Sequence, residues 1–239
     1  TIWLKMIKIK KLIDLLKKNK SDFFTGVPDS ILKELSYSLQ SKNYKNHILA
    51  TNEGSAVSLG IGKYLSTQKV PVVYMQNSGL SNALNPLISI AHEKVYSIPL
   101  ILIIGWRGSP RIKDEPQHNV KGKITEQLLK LLNIKYTILK KNLDLKKFDK
   151  QIKIAKKNKR IVACLIEQGV IEKTKKTIKK KDFYKLNKEF FFKTLLENLP
   201  KKSKIISSTG YNSRELMYLR EKFNPKTHNH FNMVGEMGH

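Results

Sequence analysis

The chain has 239 residues, 40% of them hydrophobic, and it carries a formal net charge of +27. This length allows one sizeable hydrophobic core and part of a second, and no apolar run reaches the roughly 18 residues of a membrane span, which excludes a membrane protein. The one cysteine, Cys164, excludes a disulfide framework and a cysteine metal cluster, and it predicts a cytoplasmic location.

The basic charge alone does not predict binding to nucleic acid. Lysine greatly outnumbers arginine and is spread over the polar helix faces, most densely from residue 135 to residue 188. Arginine is the preferred side chain for bidentate phosphate or base contacts, and aromatic residues are not interleaved so as to stack bases. Solvated helix faces are therefore favoured over a nucleic-acid-binding surface.

Strand-like apolar segments alternate with helical patterns from the start of the chain to about residue 170. Strands are predicted at 22–26, 47–51, 70–75, 99–106, 136–139 and 161–167. Helices are predicted at 27–39, 54–65, 80–91, 126–132 and 145–157, whereas the polar segment 107–123 predicts a loop. This alternation predicts an α/β fold with a doubly wound parallel sheet.

The pattern restarts after a lysine-rich segment at 171–185, which predicts a linker between two domains. The first domain is predicted at 6–170, and 186–239 is predicted to be the beginning of a second α/β domain. That second pattern comprises two helices and two strands, too few to bury a complete core. The sequence therefore predicts a C-terminally truncated fragment, with Met6 as the natural start and residues 1–5 as non-native.

Polar residues stand where predicted strands end and helices begin. In open α/β sheets, ligands bind outside the carboxyl ends of the strands. Glu53 follows the second strand among small residues and is a candidate acid or base; the alternative is a carboxylate that only stabilises the helix dipole. Gln76, Asn77, Ser78 and Gly79 follow the third strand and form a tight polar turn, which either contacts a ligand or supports the site.

The ends of the first and fourth strands carry two further candidates. Asp29 is either a functional carboxylate or the cap of the following helix. Arg107 suits an anionic ligand, and its alternative role is an ion pair with Asp114 or Glu115.

The predicted loop after the fourth strand contains Gln117 and His118, and binding groups concentrate on such loops. His118 titrates near neutrality, so it either binds a substrate and donates a proton or is an ordinary exposed histidine. The other histidines have no metal-ligand spacing with a third ligand. No metal ligand is therefore predicted within the chain.

Six motifs occur in one order along the chain. They are Gly26-Val27-Pro28-Asp29-Ser30, Asn52-Glu53-Gly54, Met75-Gln76-Asn77-Ser78-Gly79-Leu80, Asn85-Pro86-Leu87, Ile104-Gly105-Trp106-Arg107-Gly108 and Asp114-Glu115-Pro116-Gln117-His118. With these motifs the chain resembles the phosphonopyruvate decarboxylases, which depend on thiamine diphosphate, from about residue 6 to its end. The related sulfopyruvate decarboxylases have a different pattern around the fourth strand.

The resemblance implies a pyrimidine-binding thiamine-diphosphate fold for the first domain. Glu53 would hydrogen-bond N1′ of the aminopyrimidine ring, close to the turn at 76–79. The second domain would hold the diphosphate through Mg²⁺, whose ligands are expected beyond residue 239. In this family the cofactor lies between the pyrimidine domain of one subunit and the diphosphate domain of its partner, which implies a homo-oligomer.

The resemblance also implies a reaction: the non-oxidative decarboxylation of 3-phosphonopyruvate to phosphonoacetaldehyde and CO2, in the biosynthesis of phosphonates. Glu53, Asp29 and His118 would be catalytic, and Arg107, Gln117 and His118 would bind the small anionic 2-oxo acid. The isolated chain is expected to be inactive and to bind the cofactor weakly. Two alternatives stay open: a sulfopyruvate decarboxylase subunit and a non-catalytic basic binding protein.

Overall fold

The computed structural model describes residues 6–40, 45–174, 186–200, 202–208, 210–223 and 230–233. The chain divides into two compact units, Thr1–Lys175 and Lys176–His239. Several predictions lie outside the described residues: the non-native start at 1–5, most of the linker, and the chain's last turn from residue 234 to residue 239.

The first unit is built on a six-stranded parallel sheet with the strand order β2-β1-β3-β4-β6-β5. Its strands are β1 Phe24–Gly26, β2 His47–Leu49, β3 Val72–Gln76, β4 Ile101–Trp106, β5 Lys135–Leu139 and β6 Val162–Glu167. Its helices are α1 Ile9–Lys18, α2 Lys33–Gln40, α3 Glu53–Thr67, α4 Leu80–Pro86, α5 Pro116–Leu131 and α6 Asn142–Lys157, and a π-helical turn, Leu87–Ala91, extends α4. The predicted doubly wound α/β fold is confirmed.

The centre of this sheet explains why its strands form. Strands β4 and β6 are adjacent, and every one of their residues is buried. Strands covered on both faces are expected to be continuously apolar, as β4 is. Chain order reverses between β1 and β3, since the chain passes from β1 outward to β2 and then back to β3. A ligand crevice is expected at such a reversal, beyond the carboxyl ends of the strands.

The predicted loop at 107–123 agrees with the structure up to residue 115 and is wrong beyond it, because α5 begins at Pro116. The helix predicted at 126–132 corresponds to the C-terminal part of α5. The buried face of this helix carries Gly122, Thr125 and Leu129, so two of its three buried positions are not large apolar residues. A Cβ at position 122 would lie 1.6 Å from the carbonyl oxygen of Gly108. The helix therefore packs through close backbone contact at Gly122, and its sequence lacks the apolar periodicity from which a helix is usually predicted.

In the second unit the described residues form α7 Lys188–Asn198, β7 Ile205–Ser207, α8 Tyr211–Phe223 and β8 His230–Asn232. Strands β7 and β8 pair in parallel, as expected for α/β architecture. The domain boundaries at 170 and 186 remain predictions.

Among the described residues, no helix combines the length and the apolar character needed to cross a membrane.

Candidate active site

Three of the sequence-predicted residues, Asp29, Glu53 and Arg107, belong to two groups of residues at the carboxyl edge of the sheet in the first unit. The Glu53 corner consists of Glu53, Gly79 and Asn82. The Arg107 corner consists of Asp29, Ser30, Gly105, Arg107 and Asp114.

At the Glu53 corner, a carboxylate is placed at the start of a helix. Asn52 caps α3 by accepting a hydrogen bond from the backbone N–H of Ser55 (2.8 Å), so Glu53 is the first residue of the helix. Its side chain reaches Gly79 so closely that a Cβ there would lie 2.1 Å from Oε1. Asn82 Nδ2 donates to Oε2 at 3.0 Å. Gly79 in the turn before α4 and Asn82 on α4 therefore define the position of the carboxylate.

The turn between β3 and α4 connects the two corners. Asn77 is buried; its Nδ2 donates to the carbonyl oxygen of Arg107 and to Thr125 Oγ1, both at 2.9 Å. Its Oδ1 accepts from the backbone N–H of Arg107 at 3.0 Å. Gln76 Nε2 donates to Ser78 Oγ at 2.6 Å. The contacts of Asn77 support the end of β4, and cofactor binding by residues 76–79 remains a prediction.

At the Arg107 corner, Asp29 is 7% exposed. Its Oδ2 accepts from the backbone N–H groups of Ile31 (3.0 Å) and Leu32 (3.2 Å), so it closes the turn before α2. The carboxylate packs on Gly105, where a Cβ would lie 2.1 Å from Oδ2. Burial raises the pKa of Asp29, against the opposing effects of these hydrogen bonds and of the Arg107 charge.

Arg107 follows β4 directly and is paired with Asp114. Its Nε and Nη2 donate to the two oxygens of that carboxylate at 2.7 and 2.6 Å, and Nη1 donates to Ser30 Oγ at 3.1 Å. The structure therefore selects Asp114 as the ion-pair partner from the two candidates in the sequence, and it brings the guanidinium to the turn that contains Asp29.

Gln117 and His118 lie in the first turn of α5, where a loop was predicted. The carbonyl of His118 packs against Gly108, whose φ of +65° favours glycine. Burial lowers the pKa of His118, and the nearby Arg107 charge lowers it further. Gln117 Oε1 is buried and has no hydrogen-bond partner within the described part of the chain.

Sequence reasoning did not single out several residues of this edge. Asn82 and Gly105 act through contacts between elements that are distant in sequence, so their roles could not be predicted, although Gly105 is part of the motif at 104–108. Glu167, at the end of β6, is buried and accepts hydrogen bonds from Ser109 Oγ (2.8 Å) and from Arg111 Nη2 (2.9 Å). This cluster anchors the segment between β4 and α5.

A groove of about 920 Å³ lies along α3 next to the Glu53 corner. One helix face of small residues lines it, at positions four apart: Gly54, Ser58, Gly62 and Ser66. Exposed Leu59 and Ile90 add apolar surface.

Residues 9–129, about half of the chain, match the family model described as "Thiamine pyrophosphate enzyme, N-terminal TPP binding domain". The chain belongs to this family of thiamine pyrophosphate (thiamine diphosphate) enzymes. In a benzoylformate decarboxylase from Polynucleobacter necessarius, the same fold is found with a TM-score of 0.55 and 19% identity, over 87% of this chain and 40% of that one.

Curated relatives are named decarboxylases. The chain is 31% identical to a phosphonopyruvate decarboxylase of Streptomyces hygroscopicus, over 89% of this chain and 55% of that protein. It is 36% identical to the sulfopyruvate decarboxylase subunit alpha of Methanococcus maripaludis, over 48% of this chain and 66% of that protein. The chain thus spans about half the length of the phosphonopyruvate decarboxylases that it matches.

Proposed function

We propose that the chain is the pyrimidine-binding part of a thiamine-diphosphate-dependent decarboxylase that acts on 3-phosphonopyruvate and releases phosphonoacetaldehyde and CO2. The observation that carries this proposal is the Glu53 carboxylate, held at the carboxyl edge of the sheet by Gly79 and Asn82. Family membership supplies the cofactor class, and the names of the relatives supply the reaction class.

The residues of the Glu53 corner fit the aminopyrimidine ring of the cofactor. Because Gly79 has no Cβ, the Glu53 carboxyl can lie in the space that a Cβ would fill, and Asn82 fixes Oε2. Glu53 would then hydrogen-bond N1′ of the ring and hold a proton there, which is an acid–base role. When bound, thiamine diphosphate supplies the electron sink for loss of CO2.

The Arg107 corner supports an anionic 2-oxo acid as substrate. Arg107 Nη1 and the neighbouring His118 are suited to bind a phosphonate or a carboxylate, with Gln117 beside them in the first turn of α5. Asp29 is buried with a raised pKa, which suits a group that helps to protonate a reaction intermediate at neutral pH.

Phosphonopyruvate is favoured over sulfopyruvate by the extent of similarity. The matches to phosphonopyruvate decarboxylases cover 89% of the chain, whereas those to sulfopyruvate decarboxylases cover between 48% and 68%. The 36% identity with an alpha subunit makes sulfopyruvate the second candidate. Both substrates place a charged acid group beside the same keto acid, so the mechanism is shared.

A homo-oligomer belongs to the same proposal, with the groove along α3 covered by a second copy of the chain. Its small residues allow close approach of another subunit, and Leu59 and Ile90 contribute apolar area. Mg²⁺ would be held with the diphosphate by residues expected beyond residue 239. Among the described residues, no group of three or more His, Cys, Asp or Glu could hold a metal ion. The buried free thiol of Cys164 is in keeping with the proposed cytoplasmic location.

The test is an assay of CO2 and aldehyde release on the complete reading frame that contains this chain. Phosphonopyruvate and sulfopyruvate are supplied in parallel, with and without thiamine diphosphate and Mg²⁺. We expect cofactor-dependent turnover of phosphonopyruvate, and a loss of about 100-fold or more in Glu53→Gln.

The matched control is Glu126→Gln. Glu126 is also half-buried and also forms one hydrogen bond, from Tyr136 OH at 2.7 Å, but it lies on α5 away from both corners. Its substitution should leave turnover unchanged. Turnover of sulfopyruvate but not of phosphonopyruvate would show that sulfopyruvate is the substrate. Equal activity in wild type and Glu53→Gln would refute the role of Glu53.

A further inference from the structure

The guanidinium of Arg107 lies between two carboxyl groups but is bonded to one of them. Its Nε and Nη2 edge is taken up by Asp114, and Nη1 reaches Ser30 Oγ. This arrangement fixes the plane of the guanidinium, because a bidentate pair allows little rotation.

Asp114 is itself firmly held. Its Oδ2 also accepts from the backbone N–H of Gly108, and its Oδ1 from that of Glu115, both at 2.8 Å. Its side chain is 7% exposed. Burial works against ionisation, but the hydrogen bonds from Arg107 and from these backbone groups outweigh it and hold the pKa of Asp114 well below its usual range.

Asp29 is the second carboxyl group, and one of its oxygens is unpaired. Oδ2 accepts two backbone hydrogen bonds, whereas Oδ1 is buried and has no hydrogen-bond partner within the described residues. A buried oxygen without a partner is uncommon, and here a guanidinium is bonded to the next residue in the chain, Ser30. An ion pair between Arg107 and Asp29 would satisfy that oxygen, and the structure does not form it.

We propose that Asp114 is a positioning residue that binds the Nε and Nη2 edge of Arg107 and so keeps the guanidinium off Asp29, leaving the Asp29 carboxyl without an ion-pair partner. The consequence for catalysis rests on the proposed function. A freed Arg107 would pair with Asp29 and favour its ionised form, whereas the proposed role of Asp29 requires it to hold a proton. The contact itself rests on geometry alone.

The charged surroundings are consistent with this role. The Arg107 charge acts on Asp29 from the end of β4. The negative charges of Asp114 and Glu115, just before α5, raise the pKa of Arg107. The pKa of His118 responds to four nearby charges, those of Arg107, Asp114, Glu115 and Lys121. Asp114 is the acidic residue of this set that binds the guanidinium directly.

The experiment measures the titration of Asp29 in the whole 239-residue chain labelled with [4-¹³C]aspartate. Its signal is assigned by its loss in Asp29→Asn, and chemical shifts are followed against pH. In Asp114→Asn the freed guanidinium should pair with Asp29 and lower its midpoint by about one pH unit or more. Glu115→Gln, the control, removes a neighbouring charge without releasing Arg107 and should shift the midpoint much less.

A second variant keeps the test valid if Asp114→Asn does not fold. Arg107→Met should raise the Asp29 midpoint only slightly, because in the native chain the guanidinium is not paired with Asp29. A rise of more than about one unit would show that the pair already exists, and this would overturn the proposal. So would an unchanged midpoint in a folded Asp114→Asn, or equal shifts in that variant and in Glu115→Gln. These titrations need no substrate or cofactor, so they decide the role of Asp114 separately from the decarboxylation assay.

Discussion

At the Glu53 corner, a half-buried carboxylate is positioned by a glycine and by a hydrogen bond from the exposed Asn82. At the Arg107 corner, a partly buried network of backbone and side-chain hydrogen bonds fixes two carboxylates and a guanidinium. Both corners lie at the carboxyl edge of one parallel sheet. The position of the Glu53 carboxylate therefore depends mainly on close packing against Gly79, whereas the Arg107 corner depends on an ion pair and charged hydrogen bonds.

This difference indicates how substitutions at each corner should affect activity and stability. The Glu53 carboxylate is the end of a flexible side chain, so it moves easily and at little cost to the fold. The two carboxylates of the Arg107 corner, Asp29 and Asp114, are almost fully buried and accept backbone hydrogen bonds, so a change there alters folding as well as chemistry. Activity and stability should consequently separate at the Glu53 corner and fall together at the Arg107 corner.

The largest effect is expected for Gly79→Ala. The new Cβ would lie 2.1 Å from Glu53 Oε1, so the carboxylate must move, and a misplacement of about 1 Å can cost on the order of 100-fold in rate. The unfolding midpoint should hardly change. Decarboxylation rates and thermal unfolding of the complete enzyme check both, with Ser81→Ala, at an exposed position in the first turn of α4, as the control. A variant with full activity would show that Glu53 does not require this position.

Asn77→Ala should affect both corners, since Asn77 joins the turn after β3 to the end of β4. The substitution leaves the backbone N–H and C=O of Arg107 without their side-chain partner, and we expect a loss of about 2 kcal/mol in unfolding free energy. Urea unfolding measures it, with Ser78→Ala as the control. Unchanged stability together with weakened cofactor binding would instead indicate that Asn77 contacts the cofactor.

The contacts of Asn77 illustrate how far the sequence alone leads. The alternation of apolar and helical segments predicts the parallel sheet, and the strand ends predict where Asp29, Glu53 and Arg107 lie. It does not predict which side chains meet, because this depends on packing between separate elements, as Asn82 on α4 shows by reaching Glu53 on α3. The N-terminal part of α5 was missed because Gly122 and Thr125 occupy its buried face, whereas its C-terminal part was predicted at 126–132.

Gly105→Ala should reduce stability and activity together. The Cβ would lie 2.1 Å from Asp29 Oδ2, and the displaced carboxylate would lose its hydrogen bonds to the turn before α2. Loss of such a cap costs about 1 kcal/mol, and turnover should fall by about tenfold. Parallel unfolding and activity measurements test the coupling. If activity falls without any loss of stability, the contrast between the two corners is refuted.

The smallest effect is a pH dependence of stability beneath the Glu53 corner. His47 Nε2 lies 2.8 Å from Tyr74 OH, which joins β2 to β3, the strands that lead to Glu53 and Gly79. Burial lowers the pKa of His47, so below its unfolded value of about 6.5 the unfolded chain binds more protons than the folded one. The contribution of His47 to the free energy of unfolding should therefore be fully present above pH 6.5 and should decline as the pH falls toward the folded pKa.

Urea unfolding of the chain at a series of pH values should show this decline. His47→Gln should flatten it in part, because the contribution of His118, whose pKa is also lowered, would remain. An identical slope in the variant would mean that protonation of His47 does not contribute to the pH dependence of stability.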